Sequence, residues 1–187
     1  LVIDDISFII NPGETTAIVG PTGSGKTTIT NLITKFYEID SGTILIDRKN
    51  INEFKLESLR KKIGVILQDV FLFADTIYNN ITLFNNDISI KDVEKAAKDL
   101  EIHDFIMSLP GGYDFNVSER GSTLSAGQKQ LIAFLRVLVN NPDILILDEA
   151  TSSIDSYSED LIKNATNKIT KGKTSIIIAH RLSTVES

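Results

Sequence analysis

One run of eight residues constrains the fold of this 187-residue chain more than any other. It places three glycines, a lysine and a threonine at fixed spacings, between an apolar stretch at residues 15–19 and a helical pattern at 26–36. Glycines let successive backbone N–H groups turn inward around an anion at the positive end of a helix. The sequence therefore predicts a strand, a phosphate-binding loop and a helix. The residues predicted to contact phosphate are the eight of this run, Gly20, Pro21, Thr22, Gly23, Ser24, Gly25, Lys26 and Thr27, together with the adjacent Thr28.

Two side chains in this loop have chemistry that suits a nucleotide. In the pattern G-x-x-x-x-G-K-[ST], the lysine contacts the β- and γ-phosphates and the hydroxyl coordinates Mg²⁺. These roles fall on Lys26 and Thr27. The alternative is a glycine-rich turn that carries a lysine by chance, and the matching strand and helix argue against it.

An acidic pair follows the most apolar strand-like run, residues 144–147. Four aliphatic residues in succession are typical of a parallel strand buried on both faces, and open α/β sheets bind ligands beyond the carboxyl ends of such strands. Asp148 suits the Mg²⁺ shell, and Glu149 suits orienting or deprotonating a water. The alternative is that both acids stabilise the N-terminus of a following helix.

Composition narrows the class of protein further. A net charge of -6 argues against a general nucleic-acid-binding surface. The absence of cysteine excludes disulfides and cysteine-based zinc sites. The chain has no apolar run of the roughly 18 residues that a membrane span needs.

The pattern along the chain predicts an α/β core interrupted by helices. Strand-like runs lie at residues 6–10, 15–19, 43–47, 63–67, 143–147 and 174–178, and helical periodicity occurs at 26–36, 90–100, 102–109, 125–139 and 158–169. We expect residues 1–68 and 141–187 to form the core and 69–140 a helical subdomain. Because the chain begins inside a strand-like run, 1–10, and ends soon after another, we expect a domain truncated at both ends.

These motifs, taken in order, resemble the nucleotide-binding domain of ATP-binding-cassette (ABC) transporters along essentially the whole chain. The resemblance implies a P-loop NTPase core of class α/β, with a mostly parallel sheet, an N-terminal antiparallel β part and an inserted α-helical subdomain. The stretch 124–128 resembles the family signature LSGGQ, and three further residues match the Q-loop, D-loop and switch motifs. The signature residues are Leu124, Ser125, Ala126, Gly127 and Gln128, and the other three are Gln68, Asp155 and His180.

Two segments are similar to those of exporters in particular. Residues 71–81 resemble the stretch that follows the Q-loop in exporters, and residues 118–121 (SERG) resemble the exporter X-loop, VGERG. In that family both segments lie near the coupling helices of the membrane domain. The resemblance thus implies a transmembrane domain fused upstream of Leu1, a location at the cytoplasmic face of the membrane, and no nucleic-acid partner.

The family mechanism implies ATP and Mg²⁺ as ligands and a second nucleotide-binding domain, identical or different, as partner. Two domains pack head to tail, and ATP lies between the phosphate loop of one and the signature of the other. In this arrangement Glu149, His180 and Gln68 are catalytic, Thr27, Gln68 and Asp148 hold the metal, and Asp155 acts across the interface. Ser125 is suited to a γ-phosphate because it begins a helix. The alternative for Ser125 is a plain helix N-cap, a task that it can combine with phosphate binding. Asp155 could equally be a helix cap, and a lone histidine after a strand, such as His180, is more often structural.

Some residues depart from the family pattern and leave alternatives open. Ala126 adds a methyl group where the signature has glycine, which reduces the expected affinity for phosphate. The aromatic residue that stacks on adenine is expected upstream of Leu1, since Phe8 does not match its position. The leading hypothesis is an exporter ATPase. The alternatives are a soluble ABC-type ATPase acting on nucleic acid or ribosomes, and a weakly hydrolysing regulatory half of a heterodimer.

Overall fold

A computed structural model describes residues 3–149 and 156–179 of the chain. Strands and helices alternate through the first part, helices dominate the middle, and strands return near the end. Short 3-10 turns occur at Ile51–Glu53, Gly112–Asp114 and Glu119–Gly121. The elements are β1 (Thr15–Val19), α1 (Lys26–Ile33), β2 (Leu45–Ile46), β3 (Lys49–Asn50), α2 (Leu56–Lys62), β4 (Ile63–Ile66), α3 (Ile77–Thr82), α4 (Ile90–Asp99), α5 (His103–Ser108), α6 (Ala126–Asn140), β5 (Ile144–Glu149), α7 (Ser156–Thr170) and β6 (Thr174–Ala179).

The main sheet has the strand order β1-β6-β5-β4, and the pairs β1–β6 and β6–β5 are parallel. Most aliphatic residues of β5 and β6 are buried, as expected of central parallel strands that are covered on both faces. Ile146 and Ile176 pack with Ile51, Leu59 and Ile63 in one apolar cluster. This confirms the predicted α/β class with a parallel sheet.

A small antiparallel hairpin, β2–β3, lies apart from the main sheet. The sequence analysis predicted a five-residue strand at 43–47, but the strand is only two residues long. Asp47 and Arg48 end it because both adopt positive φ, 50° and 66°. That conformation matches a two-residue type I′ turn, which leads directly into β3.

The predicted strand at residues 6–10 is wrong. The structure assigns no strand and no strand pairing to residues 6–10, and Ile6, Phe8 and Ile9 are exposed. Alternation of apolar and polar residues gives a strand only where a neighbouring strand supplies hydrogen bonds. Pattern alone does not supply that neighbour.

The described residues divide into two compact units. The first comprises residues 3–65, 142–149 and 172–179, and it holds nearly all of the main sheet. The second comprises 66–141 and 156–171 and is helical. In the second unit α3, α4 and α7 pack against α6 around a core of buried aliphatic side chains. Members of that core include Leu72, Ile77, Ile81, Val93, Leu100, Ile102, Leu131, Ile132 and Leu135.

The sequence predicts the residues of helix α7 within the α/β core. In the structure they cluster with the helical unit instead, because α7 packs along α6. Lys168 on α7 also forms an ion pair with Glu101, at 2.7 Å between Nζ and Oε1. No helix in the described part of the chain is long and apolar enough to cross a bilayer.

Candidate functional site: the phosphate loop and the signature helix

The glycine-rich loop leaves β1 and enters α1 through Gly25, which has φ of 91°. A residue with a side chain is strained in this left-handed conformation, which explains the glycine. Gly25 also offers no side chain to cap the helix. The first helical bond joins the Ile29 N–H to the Gly25 carbonyl, so the preceding amides of α1 have no intrahelical acceptor. Backbone donors are therefore concentrated at this end of α1.

Lys26 turns back into the loop. Its ammonium donates to the carbonyls of Gly20 and Pro21, at 2.7 and 2.9 Å, and the residue is 5% exposed. An ammonium has three donors, so these two bonds orient the third. Space at Gly20 is also tight, because a Cβ there would lie 2.8 Å from Ser24 Oγ. The loop thus encloses a fixed cation among backbone amides, an arrangement that suits a polyphosphate.

The main sheet brings the acidic pair to the same edge as this loop. Val19, the last residue of β1, is in register with Ala179 of β6, and Ala179 is in register with Glu149 of β5. Adjacent strands are about 4.8 Å apart, so the backbones at Val19 and Glu149 are separated by about 10 Å. The loop that follows Val19 and the acidic pair therefore share one edge of the first unit.

The predicted metal ligands in this unit are oxygen donors. Asp148 is buried at 7% exposure near the end of β5, and Thr27 is exposed in the first turn of α1. Mg²⁺ prefers carboxylate and hydroxyl oxygens together with substrate phosphates, so this donor set fits the ion. Gln68 is exposed just after β4 and belongs to the second unit. His180 and Asp155 lie outside the described residues.

The signature begins helix α6 in the second unit. Ser125 is its N-cap: Ser125 Oγ accepts from the Gln128 N–H at 3.2 Å, and Gln128 Oε1 accepts from the Ser125 N–H at 2.9 Å. Leu124 is buried, whereas Ser125 and Ala126 are exposed. The capping interpretation of Ser125 is confirmed. Because the hydroxyl acts only as an acceptor in this cap, its proton is still able to donate to an external group.

Three phenylalanines form an exposed aromatic surface on the second unit: Phe71, Phe73 and Phe84 are 56%, 44% and 54% exposed. Phe73 makes edge-to-face contacts with both others, at centroid distances of 5.1 and 6.1 Å. The segment that carries Phe71 and Phe73 pairs with the stretch before residues 118–121, through the bridge between Thr76 and Asn116. The two exporter-like segments thus adjoin in this unit.

Asn80 organises the backbone under this surface and was not singled out by the sequence analysis. It is fully buried on α3, and Asn80 Oδ1 accepts from the Phe73 N–H at 2.8 Å. Its Nδ2 donates to the carbonyls of Phe73 and Thr76, each at 3.0 Å. A signal was present, because Asn80 lies on the same helical face as Ile77 and Ile81, where a polar residue requires buried partners.

Known proteins resemble this chain both in sequence and in structure. The sequence profile described as ABC transporter matches residues 3–152. A solved structure described as a bacterial Atm1-family ABC exporter with ATP bound aligns with a TM-score of 0.90 and 44% identity, over 98% of this chain and 32% of that one.

Curated relatives include two bacterial proteins. YgaD of Bacillus subtilis (strain 168), which carries the name multidrug export ATP-binding/permease protein, is 47% identical over 184 residues, 98% of this chain and 32% of YgaD. The Streptococcus pneumoniae serotype 4 protein exp8, named an ABC transporter ATP-binding protein, is 50% identical over 185 residues, 99% of this chain and 32% of exp8. The chain spans about a third of the length of these relatives.

Proposed function

The chain belongs to the ABC transporter family, and from that premise we propose that it binds and hydrolyses ATP to power an exporter. One observation carries the proposal: a buried ammonium, Lys26, is held inside a glycine loop at the uncapped start of α1. Cations and free backbone amides in this arrangement stabilise the β- and γ-phosphates and the charge that develops on them during transfer.

The catalytic roles rest on the shared sheet edge. Asp148 and Thr27 would hold Mg²⁺, which neutralises charge on the phosphate oxygens when it is bound. Glu149, one residue beyond Asp148 on β5, orients or deprotonates the attacking water. In the same proposal Gln68 contacts the metal or the water, and His180, which follows the last residue of β6 in sequence, donates to the γ-phosphate.

We assign the signature to the ATP of a second copy or a related chain. Ser125 is exposed at the start of a 15-residue helix, and its hydroxyl proton is available to an acceptor outside the cap. The positive end of α6 adds to the attraction for a γ-phosphate. Two domains then sandwich ATP head to tail, and Asp155 acts across that interface.

The membrane partner is proposed from the exporter-like segments. The aromatic surface is an apolar patch of the kind that marks an interaction site. YgaD, which is named as a combined ATP-binding and permease protein, supports a fused transmembrane domain, with this domain at the cytoplasmic face of the membrane. In this proposal the predicted α/β core, residues 1–68 and 141–187, binds the nucleotide. The predicted helical subdomain, residues 69–140, binds the partners.

A substitution at Glu149 tests the mechanism in the full-length protein. Glu149→Gln is expected to abolish ATP turnover while ATP binding is retained, so that an ATP-bound dimer accumulates. Nucleotide retention and particle size, measured at saturating ATP and Mg²⁺, report both effects. Glu57→Gln on α2 is the matched control, because Glu57 is exposed and pairs only locally with Lys61. Persistent monomer at saturating ATP, or unchanged turnover, would contradict the proposal.

A further inference from the structure

Helix α6 reaches from the signature to the backbone beneath the aromatic surface. Arg136, near its C-terminal end, donates from Nε to the Asn80 carbonyl at 2.9 Å and from Nη2 to the Phe71 carbonyl at 3.3 Å. One guanidinium thus joins α6 to α3 and to the phenylalanine-bearing segment. All of these residues belong to the second unit.

The guanidinium loses much of its hydration in this position. Burial lowers the pKa of Arg136 from its ordinary value, and the side chain still carries charge because arginine is always protonated in proteins. A planar fork of fixed donors is suited to joining two separate carbonyls, whereas lysine offers a compact point charge on a flexible stem. The two hydrogen bonds therefore depend on arginine in particular.

Asn80, whose carbonyl accepts from Arg136, is also held in place by its own hydrogen bonds. Asn80 holds Phe73 and Thr76 by three side-chain hydrogen bonds while its own carbonyl accepts from Arg136. Movement of Phe71 or Phe73 therefore displaces an acceptor of Arg136. Because the Asn80 side chain is fully buried, water does not replace the hydrogen bonds that it makes.

The geometry of α6 carries this displacement to the signature. Arg136 is eleven residues after Ser125, which corresponds to about 16 Å along the axis and only about 20° around it. Between them α6 is buried through Leu131, Ile132 and Leu135, so the helix moves as one body. Its N-terminal end presents the exposed Ser125.

We infer that Arg136 is a positioning residue that couples the aromatic surface to the signature serine. This inference rests on the proposed function, in which Ser125 completes the ATP site of a partner. A partner that shifts Phe71 and Phe73 moves Arg136 and α6, and so changes the placement of Ser125 on the γ-phosphate. Arg136 itself touches neither nucleotide nor water.

A double-mutant cycle tests the coupling in the full-length protein in lipid nanodiscs. The variants are Phe73→Ala, Arg136→Lys and both together, and the measurements are kcat and KM for ATP. Each single change is expected to lower kcat about 5-fold with KM for ATP unchanged, because the phosphate loop is intact. The double variant is expected to fall no further than either single one, because both changes break the same link.

Asn140→Ala is the matched control. Its Nδ2 donates to the Arg136 carbonyl at 2.7 Å, on the exposed end of the same helix, so the variant removes one bond of α6 without touching the aromatic segment. Its kcat is expected to equal that of the wild type. An equal loss in this control would assign the effect of Arg136 to helix stability and overturn the inference.

Other outcomes would overturn the inference or contradict the proposed function. A double variant about 25-fold slower, the product of the single effects, would show independent sites and overturn the coupling. If Arg136→Lys fails to fold, amide exchange at residues 125–128 in Phe73→Ala carries the test, and unchanged exchange overturns the inference. A wild-type protein that does not hydrolyse ATP contradicts the proposed function itself.

Discussion

Helices α1 and α6 begin in opposite ways, although we propose that both face phosphate. Helix α1 starts at Gly25 with no side-chain cap, and its amides are open. Helix α6 starts with a closed capping box between Ser125 and Gln128. The first arrangement leaves binding to backbone and Lys26, and the second uses a side chain for stability and recognition together.

Each helix start is therefore vulnerable to a different kind of substitution. Donors at the start of α1 are fixed by backbone conformation, so Lys26 is the side chain whose loss matters most. In α6 a single hydroxyl has two tasks, and suitable substitutions separate them.

Lys26→Ala tests the open start of α1. It removes the cation that donates to Gly20 and Pro21 and leaves two carbonyls without that donor. We expect ATP hydrolysis by the full-length protein to fall about 1000-fold and ATP affinity about 100-fold. Steady-state turnover and nucleotide titration measure these changes. Lys55→Ala, an exposed lysine of the same unit, is expected to have no effect, and a similar loss there would point to a general charge effect.

Paired substitutions at Ser125 would separate capping from recognition. Ser125→Asp keeps a good N-cap but repels phosphate, so the free energy of unfolding should be unchanged while turnover falls at least about 10-fold. Ser125→Ala removes the cap and should lower the free energy of unfolding by about 1 kcal/mol. Denaturant melts and ATPase assays give the two quantities. Normal turnover in Ser125→Asp would contradict a phosphate contact.

Alkaline pH tests the stability of the helical unit separately from the phosphate loop. Burial, with a smaller contribution from the charge of Glu94, raises the pKa of Tyr113 to about 12. Since the unfolded phenol titrates at about 10, the stabilisation is fully present below about pH 10 and is lost as pH rises toward about 12, by up to about 3 kcal/mol. Amide exchange in α5 and α6 across this alkaline range measures it.

Tyr113→Phe is the control for that titration. The variant loses the contact between the Tyr113 hydroxyl and His103 Nδ1, 2.9 Å in the native chain, but it has no phenol to ionise. Its stability should be lower at neutral pH and should lack the alkaline fall that begins near about pH 10. An identical pH profile in both proteins would assign the fall to other groups.

Ala126→Gly should have a small effect and would refine the account of the signature helix. The change removes an exposed methyl group where the family sequence has glycine. We expect the ATP concentration for half-maximal turnover to fall a few-fold, at a cost of less than about 1 kcal/mol in stability. Turnover against ATP concentration measures the first effect. A rise in that concentration would show that the methyl group is not an obstacle to phosphate.

Local pattern predicted much of the fold, and each of its failures has its own physical reason. Helix α6 and strands β5 and β6 agree with the predictions to within one or two residues, because long periodic or aliphatic segments specify themselves. Helix α1 ends at Ile33 rather than 36, since Lys35 adopts a φ of 52° and the Phe36 N–H bonds the Asn31 carbonyl. The predicted strand at 6–10 is wrong because a strand forms only where a neighbouring strand supplies hydrogen bonds.

Some parts of the candidate site follow from the sequence, and others were decided only by the tertiary structure. The phosphate loop, the acidic pair and the capping serine follow from the sequence, because each depends on residues adjacent in the chain. That Val19 and Glu149 share a sheet edge through β6, and that Arg136 reaches Asn80 and Phe71, became known only from the tertiary structure. These contacts join residues far apart in the chain, and packing of the sheet and helices, rather than local periodicity, brings them together.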